Sequence, residues 1–297
     1  MDKPAAARRD DDAQGASAPQ AGADGLSPAA ASVHRARARR WAGSSLRGSQ
    51  ALIGLVILLV GWEAVTRLFH PLPVILPSPE DVAGRLAHLL SSSEAWTDLG
   101  ISIARVLSGF ALGTVSGVFI AIMLARNPFL DRSLHYVLVA LRFVIPFAWV
   151  PIAAYWFGLS ETGKVFITWY ASFFVIVFQA RAGIEAVPDL YIKVAQTFGM
   201  SKRQTLWQVI LPAAWPGIVV GMRLGLSFAW VAILAAEMVN ANSGIGYFIN
   251  YSGQFLATND VMAGMIMIGV LGFCTDQALS WAGRWALPGT DSRTLAR

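Results

Sequence analysis

The chain has 297 residues, of which 55% are hydrophobic and only 14% charged, with a mean hydropathy of +0.53. Soluble domains carry roughly 25% charged residues, so a large water-soluble core is excluded and an integral membrane protein is indicated. The net charge of +5 is concentrated at particular loops, which suits membrane topology better than nucleic-acid binding, and a lone cysteine, Cys274, excludes an intrachain disulfide framework.

Residues 1–46 are rich in Ala, Gly, Ser, Pro, Gln and Asp and almost devoid of large apolar residues. Such a segment cannot bury enough surface to offset its ordering entropy, so a disordered cytoplasmic tail is expected, ending in the basic cluster Arg35, Arg37, Arg39 and Arg40. The first apolar run begins near Ala51 and is followed by Glu63 and Arg67, the pattern of an uncleaved first helix rather than a cleavable signal. A bilayer core about 30 Å thick needs about 20 mostly apolar residues per helix. Six segments meet that length: 50–69, 102–125, 134–157, 163–181, 214–238 and 261–284. All read as helices, because open sheet edges cannot be satisfied in lipid. The expected fold is therefore all-α, a polytopic membrane bundle over 47–287 with a cytoplasmic loop at about 182–216 and a cytoplasmic C-terminal tail over 288–297.

Basic residues set the orientation. With the N-terminus cytoplasmic, seventeen Lys and Arg fall inside and four, Arg67, Arg85, Arg105 and Lys164, fall outside; Arg142 and Arg223 lie within helices. The stretch GLSETGKV, Gly158 to Val165, comes within one residue of a phosphate-binding loop, but Val165 stands where the Mg²⁺-binding Ser or Thr belongs. It also sits between two apolar segments on the outer side, so it reads as a polar turn and no nucleotide site is assigned.

The second segment carries Gly109, Gly113 and Gly117, and the fifth carries Gly217, Gly221 and Gly225. Each triplet, spaced four apart, makes a stripe along which helix backbones can approach closely. In the third segment Pro146 and Pro151 interrupt the hydrogen-bond ladder, so a kink is expected, either for shape alone or to free carbonyls that line a passage. Arg142 and Arg223 either snorkel to the headgroups, the preferred reading, or face that passage and meet an anionic solute. Glu237 lies near the outer face; Asp276 is the deepest acid and calls for a polar neighbour. The histidines His34, His70, His88 and His135 have no metal-ligand spacing, and no nucleophile with a partnered base is visible. Neither a metal, a cofactor nor a catalytic residue is assigned.

Between the fourth and fifth segments lies a patterned polar loop. Asp189 can cap a short helix with an apolar stripe of Tyr191, Val194, Ala195 and Phe198, and Gly199 can end it in a left-handed conformation. Ser201, with Gln204 three residues later, forms a capping-box pattern for a second helix, after which Pro212 and Pro216 mark the return into the membrane. The expectation is a helix–turn–helix on the cytoplasmic face.

At these residues the chain resembles importer permeases of the ATP-binding cassette (ABC) class. Their cytoplasmic loop, the EAA loop, has the form Glu-Ala-Ala-x3-Gly-x9-Ile-x-Leu-Pro. Here Lys193, Val194, Ala195, Gly199, Val209, Leu211 and Pro212 occupy the corresponding positions, with Lys193 and Val194 departing from the initial Glu and Ala. The segments LPSPEDV (76–82), FAWVPIAAYWFGLSETGKVF (147–166) and AEMVNANSGIGYFI (236–249) are similar to the nitrate/sulfonate/taurine permease group. The resemblance covers roughly 50–285. It implies a non-enzymatic permease subunit in the bacterial inner membrane, moving a small anionic solute such as nitrate, taurine or a sulfonate. It implies as partners a second permease subunit (a homodimer), two separate ABC ATPase subunits and an extracytoplasmic substrate-binding protein, and no nucleic acid. Translocation-path candidates are Arg142, Pro146, Pro151, Arg223 and Glu237. The alternative, an ion-coupled secondary transporter, requires deep carboxylates and an inverted repeat, of which Asp276 alone is evident.

Overall fold

The computed structural model describes residues 53–69, 71–158 and 160–286. The expected N-terminal tail, its basic cluster and the C-terminal tail lie outside these residues. Two units are distinguished, Met1–Gly61 and Trp62–Arg297. In the first, residues 53–61 are helical, and Ile53, Leu55, Val56, Ile57 and Leu58 expose their side chains. Helix α1 covers 53–69.

In the second unit each helix is started by a local signal. Helix α2 (Pro79–Ser91) has Ser78 as N-cap, its hydroxyl accepting the Asp81 N–H, and Pro79 in the first turn, where a missing N–H costs nothing. Helix α3 (Ser93–Arg126) is capped by Ser92 and runs 34 residues, about 50 Å at 1.5 Å per residue. Asn127 ends α3 and caps α4 (Pro128–Arg142), its side chain accepting the N–H groups of Phe129 and Leu130. Then come a 3₁₀ turn at Pro146–Trp149, α5 (Val150–Phe157), α6 (Glu161–Glu185), α7 (Asp189–Thr197) and α8 (Lys202–Thr205). A π turn at Leu206–Ile210 leads into α9 (Leu211–Asn240), followed by α10 (Ile245–Gln254) and α11 (Thr258–Ala286).

The architecture is an all-α membrane helix bundle. By length and composition four helical stretches suffice to cross a bilayer: Ser93–Arg126, Glu161–Glu185, Lys202–Val239 and Thr258–Trp285. The third expected segment is not one helix. It divides into Pro128–Arg142 and Pro146–Phe157 with an 85° bend, and counts as a fifth span only if the pair is taken together. The physical reason is Pro146, which disfavours helical geometry at Ile145 and cannot donate to the preceding turn; Ile145 is extended. The expected six are thus up to five among the described residues, with α1 contributing 17 described positions.

Two further expectations change. The fifth segment begins near Lys202 rather than 214, because a π turn joins α8 to α9 without a break. There the Leu211 N–H reaches back to the Leu206 carbonyl, and the widened turn accommodates Pro212, whose ring would crowd a regular α-turn. GLSETGKV is only in part a turn: α6 starts at Glu161, and Lys164 is a buried residue of that helix.

Helix α6 forms the centre of the second unit, with α3 and α9 packed against it. Val106 and Phe110 of α3, Ile176 of α6 and Leu226, Ala229, Trp230 and Ile233 of α9 form one core cluster. Outward positions are also apolar, including Val115 and Phe119 on α3, Val231 on α9 and Phe273 on α11. An exterior this apolar suits a lipid solvent.

Candidate coupling surface and translocation path

Helix α7 starts at Pro188, which occupies the N-cap position without a side-chain hydrogen bond; Asp189 is the first helical residue and not the cap. Its carboxylate still lies in the first turn, where negative charge favours the helix dipole. The end of α7 is a Schellman motif: Met200 N–H donates to the Ala195 carbonyl and Gly199 N–H to that of Gln196. Gly199 has φ +72°, and nothing lies within 4 Å of a Cβ built there, so backbone conformation alone selects glycine. Ser201 and Gln204 then close a complete capping box.

The apolar stripe expected on α7 is present and faces outward except at Ala195. Only Ala195 is buried; Leu190, Tyr191, Val194 and Phe198 are exposed, Phe198 by 82%. Lys193 is exposed beside them. Below, Leu211 and Ile210 pack against the cluster of Ile184, Val187, Ala214 and Ile218, which fixes the helix pair to the ends of α6 and α9. Val209 and Pro212 are half-buried at that junction. The result is a firmly seated base carrying an open apolar surface.

The two glycine stripes meet opposite sides of α6. A Cβ at Gly109 would fall 2.6 Å from the Thr168 Cβ, and one at Gly113 would fall 2.1 Å from the Ser172 Oγ. On the other side, Gly221 faces Gln179, and Gly217 faces the backbone of Gly183 at 2.7 Å. Ile176 lies between Gly117 and Gly225.

At the opposite end of α6 from α7, a buried polar network joins four helices. Arg105 of α3, 3% exposed, donates to the Glu237 carboxylate of α9 at 2.8 Å and to Glu161 of α6 at 2.7 Å, with a further short contact to Glu161. It also donates to the Ser243 carbonyl and hydroxyl. Glu237, 1% exposed, also accepts from the Ser102 hydroxyl and the Gly246 N–H. Lys164 pairs with Glu161 at 2.9 Å. The turn into α10 is held by the same set: Asp98 accepts the Gly244 N–H and Ser102 the Ile245 N–H. Gly244, at φ +107°, lets the backbone pass the Glu237 carboxylate, which a Cβ would approach to 2.6 Å. Arg105, Glu161, Lys164 and Glu237 each have an opposite partner and hydrogen bonds, the condition under which buried ions are tolerated.

Glu237 therefore lies inside a closed polar network. Arg223 is likewise engaged, donating to both carboxylate oxygens of Asp276 at 2.8 and 2.6 Å. The polar neighbour expected for Asp276 is this arginine.

Arg142 and Pro146 are brought together at a cavity of about 390 Å³ beside the break between α4 and α5, with α6 and α9 supplying the other walls. Pro151 is exposed in the first turn of α5 and does not line this cavity. At the break the Leu141 carbonyl accepts the Val144 N–H at 3.0 Å and the Tyr170 hydroxyl at 2.6 Å. The Arg142 guanidinium lies 5.1 Å from the Phe178 ring centroid. Among the described residues no cluster of His, Cys, Asp and Glu has metal-binding geometry.

Comparison with known proteins bears on this arrangement. Residues 113–286 match the family described as binding-protein-dependent transport system inner membrane component. The chain is 32% identical over 230 residues to the taurine transport system permease protein TauC of Escherichia coli (strain K12), covering 76% of this chain and 84% of the relative. It is 34% identical to the putative aliphatic sulfonates transport permease protein SsuC of Bacillus subtilis (strain 168), covering 76% and 81%. Identity to the nitrate import permease protein NrtB of Synechococcus elongatus is 32%, covering 63% and 68%. An inward-facing structure of the MetNI methionine ABC transporter aligns with a TM-score of 0.55 at 17% identity, covering 63% of this chain and 93% of that one, a likeness of fold. The chain belongs to the family of binding-protein-dependent transport system inner membrane components.

Proposed function

We propose that this chain is the permease subunit of an ABC importer for a small anionic solute, working with a second copy of itself, two separate ATPase subunits and an extracytoplasmic binding protein. Solutes of the taurine, sulfonate and nitrate class are supported by the names of its relatives. Both termini are cytoplasmic in this reading, supported by the excess of basic residues on that side. The glycine stripes are packing seams, and ATP is hydrolysed by the partner chain.

The observation that carries the reading is α7. Four large apolar side chains stand exposed on a short helix whose base is locked to the bundle and whose exit angle is set by Gly199. Such a patch at a polar loop calls for a protein partner, and an ATPase groove supplies one. Closure of the two ATPases would then move α7, and through Leu211 and Pro212 the start of α9. The ion-coupled alternative finds no support, because Asp276 is held by Arg223 in bidentate geometry.

The test uses two substitutions at Gly199. Valine is strained at positive φ by about 1–2 kcal/mol, whereas asparagine tolerates that region. Gly199→Val is expected to insert in the membrane but to lose ATPase co-purification and transport, and Gly199→Asn to retain both. Full co-purification and transport in Gly199→Val would overturn the coupling assignment.

A further inference from the structure

We propose that the cavity at the α4–α5 break is a solute subsite selective for organic anions, in which Arg142 binds the charged head and aromatic walls hold an apolar body. This rests on the permease reading above. The cavity, about 390 Å³, lies within the roughly 300–1,000 Å³ typical of small-molecule sites. No Asp or Glu is among its described lining residues. Arg142 forms no ion pair with a carboxylate among the described residues, whereas Arg105, Arg181 and Arg223 each do. The Arg142 guanidinium is exposed at the cavity, and an anionic ligand would supply there the charged partner that the described residues do not.

The walls decide which anion. Tyr170, Phe174, Phe178 and Phe228 line the cavity, and Gln179 adds one amide. Tyr170 already donates its hydroxyl to Leu141, so it offers the cavity mainly its ring. Phe174 packs edge-on against Tyr170 with ring centroids 4.9 Å apart, which fixes that wall. A planar inorganic anion would meet the guanidinium and leave most of the volume and all of the rings unused. An aromatic or branched alkyl sulfonate fills both parts: its head pairs with Arg142 and its body stacks on rings. Arg142 already lies over Phe178, so cation and ring form one surface suited to such an amphiphilic ion.

The same chemistry, an anionic head on an apolar body, describes a phospholipid, and the experiment separates the two. The permease–ATPase complex in nanodiscs of zwitterionic lipid is dialysed to equilibrium against benzenesulfonate, methanesulfonate or nitrate. Saturable benzenesulfonate binding is expected, at least tenfold tighter than nitrate. Arg142→Gln should weaken it by about 10–100-fold, the range for a lost charge-assisted bond, and Arg142→Lys by less. Phe178→Ala should weaken benzenesulfonate more than methanesulfonate. With a third of the lipid replaced by phosphatidylglycerol, a solute site keeps its benzenesulfonate affinity; a matching loss would assign the cavity to headgroups and overturn the proposal. Absence of saturable benzenesulfonate binding, or equal binding in Arg142→Gln, would also overturn it. ATPase retention is measured on each sample. If it is intact, such a failure leaves the permease reading standing; if the wild-type chain retains no ATPase, that reading itself fails.

Discussion

Arg105→Ala tests whether the polar network at the α10 end of the bundle stabilises the fold. The substitution removes hydrogen bonds to Glu161, Glu237 and both Ser243 acceptors. Glu237 would keep only the Ser102 hydroxyl and the Gly246 N–H while remaining 1% exposed. Breaking a buried pair from one side costs about 3–5 kcal/mol, because the remaining charge is neither solvated nor paired. The contrast is Glu161→Gln. Glu161 is 62% exposed, and an exposed ion pair contributes roughly 0–1 kcal/mol. Thermal unfolding of the purified permease in detergent, followed by tryptophan fluorescence, reads both. Arg105→Ala should lower the melting temperature on the order of 10 °C, and Glu161→Gln by no more than about 4 °C. Equal shifts, or a negligible one for Arg105→Ala, would refute the argument from burial.

Gly217→Ala should destabilise by about 1–3 kcal/mol, because its Cβ meets the Gly183 backbone, which cannot rotate away. Gly84→Ala on α2 has open space around its Cβ and should be neutral or slightly stabilising in the same melting assay. Asp276→Ala leaves Arg223 without its bidentate carboxylate and should lower stability more than Asp276→Asn, which keeps a polar acceptor; detergent melting of both checks the order.

Several features of the α7–α8 loop were legible in the sequence because they rest on local chemistry. The Gly199 turn follows from left-handed geometry that glycine supplies, and the Ser201–Gln204 box from residue types at fixed spacing. The network was not legible, because it is assembled from residues far apart in the chain, and charge counting assigned Arg105 and Lys164 to an aqueous face. A signal was nevertheless present. Arg105 continues the Gly109, Gly113, Gly117 register one step toward the N-terminus, and Glu237 lies on the Gly217, Gly221, Gly225 register three steps onward through Ala229 and Ile233. A charge on a buried stripe predicts an opposite charge on the facing helix. The stripe on α7 was legible as a face, but apolar spacing does not say whether the same chain or a partner covers it. The α4–α5 bend was legible as an interruption at proline, whereas its 85° angle depends on the packing of both arms.

The central claim is that α7 docks the ATPase while α10 lies on the opposite face of the bilayer. A photoreactive amino acid replacing Val194, or separately Phe255, both exposed, tests it in the assembled transporter. After irradiation the Val194 position should give an adduct with the ATPase subunit, and the Phe255 position should give none with it. An ATPase adduct from Phe255 and none from Val194 would contradict the account.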